Sequence, residues 1–183
     1  MNKLNVNDIM GRPDSSSGSI VGKNAKPVGV TPAIVLTNPK FPHNVGAAQR
    51  AASCFGVQQL WFTGNRVSLE PEKGQRLPRE ERMRGYKDVE VIQFDYFFDQ
   101  FDDTVTPVAV ELRPNSENLV DFEHPPNAVY VFGPEDGSIP QVTLRHCYRF
   151  VVIPTKHCVN LAAAVYIMLY DRLLKQYQRE GTL

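Results

Sequence analysis

Residues Val129–Arg172 read VYVFGPEDGSIPQVTLRHCYRFVVIPTKHCVNLAAAVYIMLYDR, and the rest of the chain is organised around them. Val129–Phe132 is a short apolar run cut off by Gly-Pro-Glu-Asp-Gly, the punctuation of a strand running into a loop. A short helix follows, then a second apolar run, Phe150–Ile153, stopped by Pro154. Beyond another turn, the pattern predicts a long helix from Asn160 to about Arg179. Two buried strands whose closing turns both carry polar groups are where an open α/β sheet places a ligand.

Working outward, Ala33–Thr37 (AIVLT) reads as a buried strand from its β-branched, apolar make-up. Asn38–His43 carries two prolines and reads as a loop. Asn44 is then the expected N-cap of a helix over Val45–Phe55 that opens with the small residues Gly46, Ala47 and Ala48. From spacing alone, Asn44 is equally a cap and nothing more, and Arg50 a solvated surface charge. Gly56 ends that helix, and Gln58–Phe62 supplies the next strand of a βαβ unit. Further strands are expected at Val89–Ile92 and Val105–Val110, with a short aromatic helix at Tyr96–Phe101 and a loop over Asn115–Pro126. This alternation predicts an α/β fold, an open and mostly parallel sheet with helices on both faces. The final helix is apolar almost all the way round at its start. It is therefore expected either deep in the core or in the interface of a homodimer.

The chain has 183 residues, enough for one domain with a real core. Residues 1–31, rich in Ser, Gly, Asn and Pro, are expected to form a flexible tail, and residues 32–183 the domain. Lys plus Arg and Asp plus Glu both number 20, so no global basic field draws nucleic acid, and any such role falls to a local patch. Arg66–Lys87, with seven basic residues against four glutamates, is the candidate; it reads equally as a solvated face. Three cysteines (Cys54, Cys147, Cys158) lack C-x-x-C pairing and metal-ligand spacing, which predicts no metal and a reducing, cytoplasmic setting. No apolar run approaches the roughly 18 residues of a membrane helix, so no membrane partner is expected. Phosphate-binding glycine loops, H-E-x-x-H and G-x-S-x-G are absent. The adjacent His157 and Cys158 have no third orienting group to make a nucleophile of the thiol.

Three segments resemble the three motifs of the SpoU-type RNA 2′-O-ribose methyltransferases of the SPOUT superfamily. They are Asn38-Pro-x-x-x-x-Asn44-x-Gly46-Ala47-x-x-Arg50, Phe132-Gly-Pro-Glu135-Asp-Gly137, and Ile153-Pro…Cys158-Val-Asn160-Leu-Ala-x-Ala164. They come in the family's order, each at the end of an expected strand, and the resemblance covers about Ala33 to Tyr177. It implies a C-terminal trefoil knot, S-adenosylmethionine as cofactor, an RNA substrate (tRNA or rRNA), and a homodimer with composite active sites. By matching positions it implies cofactor contacts at Val110, Glu111, Gly133, Gly137, Ile153, Cys158 and Val159. It also places the functional polar groups at Asn44, Arg50, Glu135 and Asn160. Cys158 stands where the family's third motif usually has Ser, a weaker hydrogen-bonding group in its place. Two other readings share this fold: a catalytically silent RNA-binding protein, and an RNA base methyltransferase of the same superfamily. The Asn44…Arg50 pattern speaks for the ribose.

Overall fold

A computed structural model describes residues 31–68, 88–95, 97–101 and 103–181. The first four strands of the sheet in chain order are β1 (Ala33–Leu36), β2 (Gln59–Phe62), β3 (Glu90–Gln93) and β4 (Thr106–Val110). The others are β5 (Glu117–Asn118), β6 (Ala128–Phe132) and β7 (Arg149–Val152). All pair in parallel, in the order β3-β2-β1-β6-β4-β7-β5. The helices are α1 (Pro42–Cys54), the single turn α2 (Gln141–Leu144) and the long α3 (Leu161–Glu180).

A parallel sheet must be covered on both faces, which is why its strands read as continuous apolar runs. Alternate residues divide accordingly. Ile34, Leu36, Leu60, Phe62, Val108, Tyr130 and Val151 face α1 and α3, which cross each other on that side. Burying Val165, Met168 and Leu169 of α3 there stabilises the fold by about 1.5–3 kcal/mol per side chain. Val35, Trp61, Ala109, Val129 and Val131 face the 3₁₀ turn Phe97–Gln100 and the residues around α2, including Ile139, Leu144 and Cys147. The expected α/β sheet with helices on both faces is what the chain forms.

The chain leaves β1 toward β2 and β3 on one side, and reaches β6 and β4 on the other. The neighbours β1 and β6 therefore mark the point where the strand order reverses, the place where open α/β sheets keep their ligand crevice. The connection 111–116 runs from Val110 to Glu117, both opposite Val151, so it arches across the end of β7.

Several boundaries correct the sequence reading. Helix α1 starts at Pro42, with Phe41 at the N-cap position, so Asn44 lies inside the first turn rather than capping it. A proline loses nothing at a helix's first position, where its missing N–H would have had no partner. Asn115–Pro126, expected as a loop, contains β5 and the 3₁₀ turn Leu119–Asp121. Residues 1–30 of the expected tail, and 69–87 of the basic segment, lie outside the described residues. Among the described residues, no helix is long and apolar enough to cross a membrane.

Candidate active site

Three loops meet at the carboxyl ends of the central strands, and one chain of hydrogen bonds ties them together. Glu135, in the loop after β6, accepts from the backbone N–H groups of Lys40 (2.7 Å) and Phe41 (3.3 Å) and from Asn44 Nδ2 (2.5 Å). Asn44 is buried in the first turn of α1, and its Oδ1 accepts from Asn160 Nδ2 at 2.9 Å. Asn160 in turn caps α3, its Oδ1 accepting from the N–H groups of Ala162 and Ala163. A cap of this kind is worth about 1 kcal/mol. Residues 91 and 116 positions apart in sequence thus form one Glu–Asn–Asn relay.

The electrostatics follow from that geometry. Burial alone would push the Glu135 carboxyl up, but the Asn44 amide and the backbone N–H groups of Lys40, Glu135 itself and Phe41 outweigh it and hold the group below its ordinary range. An ionised carboxylate also suits the positive N-terminal end of α1, which has no acidic residue in its own first turn. Next to it, Asp136 takes a two-pronged bond from Arg66 (2.9 and 2.8 Å) and an ion pair from Lys40 at 3.2 Å. The Arg66 and Lys40 bonds hold Asp136 far below the usual carboxylate range. Of the basic segment proposed from sequence, Arg66 is therefore engaged in bracing the first and second motif loops.

A cleft of about 700 Å³ opens beside the relay between the ends of β4, β6 and β7. Val110, Glu111, Gly133, Gly137, Ile153, Cys158 and Val159 all line it, together with Glu135. Their individual jobs differ. Glu111 Oε2 accepts from the Ile139 N–H at 2.8 Å, so its side chain pins the loop after β6. A Cβ on Gly133 would stand 3.2 Å from Ile139 N and 3.4 Å from Gly137 O, so this glycine permits the loop to fold back on itself. Gly137 has no such constraint, since a Cβ there would meet only Pro134 at an ordinary 3.6 Å. Sequence reading missed Leu112, a large side chain 78 % exposed at the cleft wall. Nothing in local pattern marks it, because it sits in an irregular loop.

Arg50 stands apart. It is exposed on α1, on the same helical stripe as His43, Ala47 and Cys54, and the structure does not bring it into the relay. The sequence also gave no sign of a second polar network under the far half of α3. Buried His124 bridges Tyr130 Oη (2.6 Å) and Asp171 Oδ2 (2.8 Å). Arg172 donates to Tyr130 Oη and to the Pro125 and Pro126 carbonyls, and Lys175 reaches Asp171 and the Leu119 and Phe122 carbonyls. Burial pushes the Tyr130 hydroxyl up to about 12, and pushes His124 down despite Asp171. A neutral His124 donating from Nε2 to Asp171 and accepting the Tyr130 O–H at Nδ1 satisfies every partner.

The sequence pattern of the SpoU rRNA Methylase family matches residues 31–170. The chain is 24 % identical over 167 residues to the tRNA (cytidine-2′-O-)-methyltransferase TrmJ of Methanocaldococcus jannaschii, covering 80 % of this chain and 69 % of that one. Among solved structures it resembles the SpoU methyltransferase AviRb of Streptomyces viridochromogenes in complex with AdoMet. There the TM-score is 0.66 at 16 % identity, over 79 % of this chain and 57 % of that one, so the chain spans little more than half of AviRb. It also resembles a protein solved for structural insight into 2′-OH methylation of C/U34 on tRNA. That match has a TM-score of 0.64 at 22 % identity, over 79 % of this chain and 89 % of that one.

Proposed function

The chain belongs to the SpoU rRNA Methylase family, and on that footing we propose that it methylates a ribose 2′-hydroxyl of RNA with S-adenosylmethionine as donor. The observation that carries the proposal is the union of the cleft with the Glu135–Asn44–Asn160 relay at the reversal point of the sheet. The cleft suits the cofactor: apolar walls from Val110, Phe132, Ile153 and Leu161, and a tight loop at Gly133 that a side chain would disrupt. S-adenosylmethionine held there supplies an electrophilic methyl group on a sulfonium.

The chain's own residues do the rest. Transfer to a hydroxyl is an in-line displacement, so orienting the ribose supplies much of the rate. Asn44 and Asn160 hold each other, and Glu135 fixes Asn44 against the first motif loop. Glu135 thereby serves as a positioning residue: its carboxylate is spent on three donors and its basicity is reduced. Arg50 is a standing cation; it holds the substrate's phosphate and stabilises negative charge developing on the hydroxyl oxygen as its proton leaves to water.

Arg50 lies outside the relay of its own chain, which supports a homodimer in which a second copy completes the site. Exposed Tyr170 and Tyr177, one heptad apart on α3, supply an apolar stripe for that contact. The arch 111–116 over the end of β7 supports the knotted threading that goes with the family. tRNA is the favoured substrate class, since TrmJ is by name a tRNA cytidine 2′-O-methyltransferase. The test is transfer of labelled methyl from S-adenosylmethionine to total tRNA and, separately, to rRNA, with nucleoside analysis of the product. A 2′-O-methylated nucleoside is expected; a methylated base, or no transfer to either pool, would contradict the proposal.

A further inference from the structure

Phe41 serves neither as a helix cap nor as core. It occupies the N-cap of α1, where Ser, Thr, Asp or Asn would satisfy the helix's free N–H groups, and it makes no side-chain cap bond. Nor is it core: the residue is 41 % exposed. Its ring lies nearly parallel to that of exposed His43, with centroids 5.2 Å apart and planes 17° from parallel. The Lys40 ammonium stands 5.4 Å from the Phe41 centroid while it pairs with Asp136. This stack does not float on a loose loop. The Lys40 and Phe41 N–H groups both bind the Glu135 carboxylate, so the backbone that carries the rings is held relative to Asn44 and Asn160. His43, Ala47 and Arg50 then follow along one stripe of α1: an exposed ring, a half-buried small side chain and an exposed cation. Exposed aromatics on an anchored backbone next to a cation are the equipment that proteins use to hold an unstacked nucleobase.

We propose that Phe41 and His43 form a stacking platform for one nucleobase of the RNA, adjoining the ribose to be methylated, with Arg50 meeting the neighbouring phosphate. The inference rests on the function proposed above and narrows it: the methylated nucleotide lies in a single-stranded segment or loop whose bases are free to splay. A base within a regular A-form duplex is already stacked on both faces and offers the platform nothing.

The experiment uses the full chain with two probes: short single-stranded RNA carrying the fluorescent base 2-aminopurine, read by its quenching on binding, and total tRNA, read by the KM for methyl transfer. Cofactor affinity is measured by calorimetry for every variant. The wild-type chain should quench the probe. Phe41→Ala and His43→Ala should each lose the quenching and raise KM about tenfold, the size of one lost base stack, with cofactor affinity within about twofold of wild type. Phe41→Tyr and His43→Phe should restore both. Quenching and KM unchanged in His43→Ala would overturn the platform, and so would a wild-type chain that fails to quench. Should Phe41→Ala lose cofactor affinity through a disturbed first motif loop, His43→Ala alone decides. A wild-type chain that quenches the probe, with the quenching lost in His43→Ala, but transfers no methyl to tRNA or rRNA would sustain the platform and refute the proposed activity instead.

Discussion

Helix α3 carries two polar networks, one at each half, and they are built in opposite ways. At its N-terminus Asn160 joins Asn44 and Glu135 beside an open cleft, using one side-chain amide to hold another. Two turns and more along, half-buried Asp171, Arg172 and Lys175 reach four backbone carbonyls and His124 and Tyr130, which are sealed from solvent. In the first, the groups are held by one another at the edge of a space large enough for a ligand. In the second, the side chains of α3 are spent on acceptors inside the protein, around the buried His124 and Tyr130. A hydrogen-bonded network built on buried groups rigidifies what it joins. Helix α3 is thus clamped along its second half while its N-terminus presents Asn160 to the cleft side.

That contrast can be broken at several points. The largest effect is expected at Arg50, which is exposed and outside both networks. Arg50→Ala should cut kcat by about a hundredfold or more, the usual loss when a charge-stabilising group is removed. Its stability should stay within about 0.5 kcal/mol of wild type, as for other exposed sites. Steady-state kinetics beside chemical denaturation would show this; a large stability loss would mean Arg50 holds the fold instead. A smaller effect is expected from acid on the sealed network. The unfolded imidazole of His124 binds its proton near pH 6.5, while burial delays protonation in the folded state to lower pH. The unfolded state therefore gains as pH falls below 6.5, and stability should drop by at most about 1.4 kcal/mol per pH unit over that window. Glu135, also depressed, loses its contribution only below its ordinary value of 4.5, so measurements between pH 5 and 7 separate the two networks. His124→Gln should flatten the profile in that range; an unchanged slope would remove His124 as its source.

The sequence announced the open network far better than the sealed one, for a physical reason. Strand ends, glycine turns and a helix start are local events, so the cleft-lining positions and the relay members could be named from spacing and motif resemblance. What each does required the third dimension. Asn44 reads as a cap because Asn before a helix usually is one, yet Pro42 extends the helix and frees the Asn44 amide to face Glu135. Glu111, expected to meet the cofactor through its backbone, lines the cleft, and that its carboxylate also pins the Ile139 N–H is visible only in the folded chain. His124, Tyr130 and Asp171 carry no local signal at all: a histidine between loop residues, a tyrosine in an apolar strand and an aspartate on a helix meet only when the sheet is assembled. Arg50 remains legible as a motif residue whose surroundings a single chain does not complete.

The most direct test of this division measures kcat and unfolding free energy side by side for Asn160→Ala and Asp171→Ala. Asn160→Ala should lose turnover by at least about tenfold while costing about 1 kcal/mol of stability, the worth of a helix cap. Asp171→Ala should cost about 3 kcal/mol by leaving Lys175 and His124 without their partner, with turnover near wild type wherever the protein is folded. If Asp171→Ala instead abolished turnover at full stability, or Asn160→Ala unfolded the protein and left catalysis intact, the assignment of chemistry to one end of α3 and anchorage to the other would be wrong.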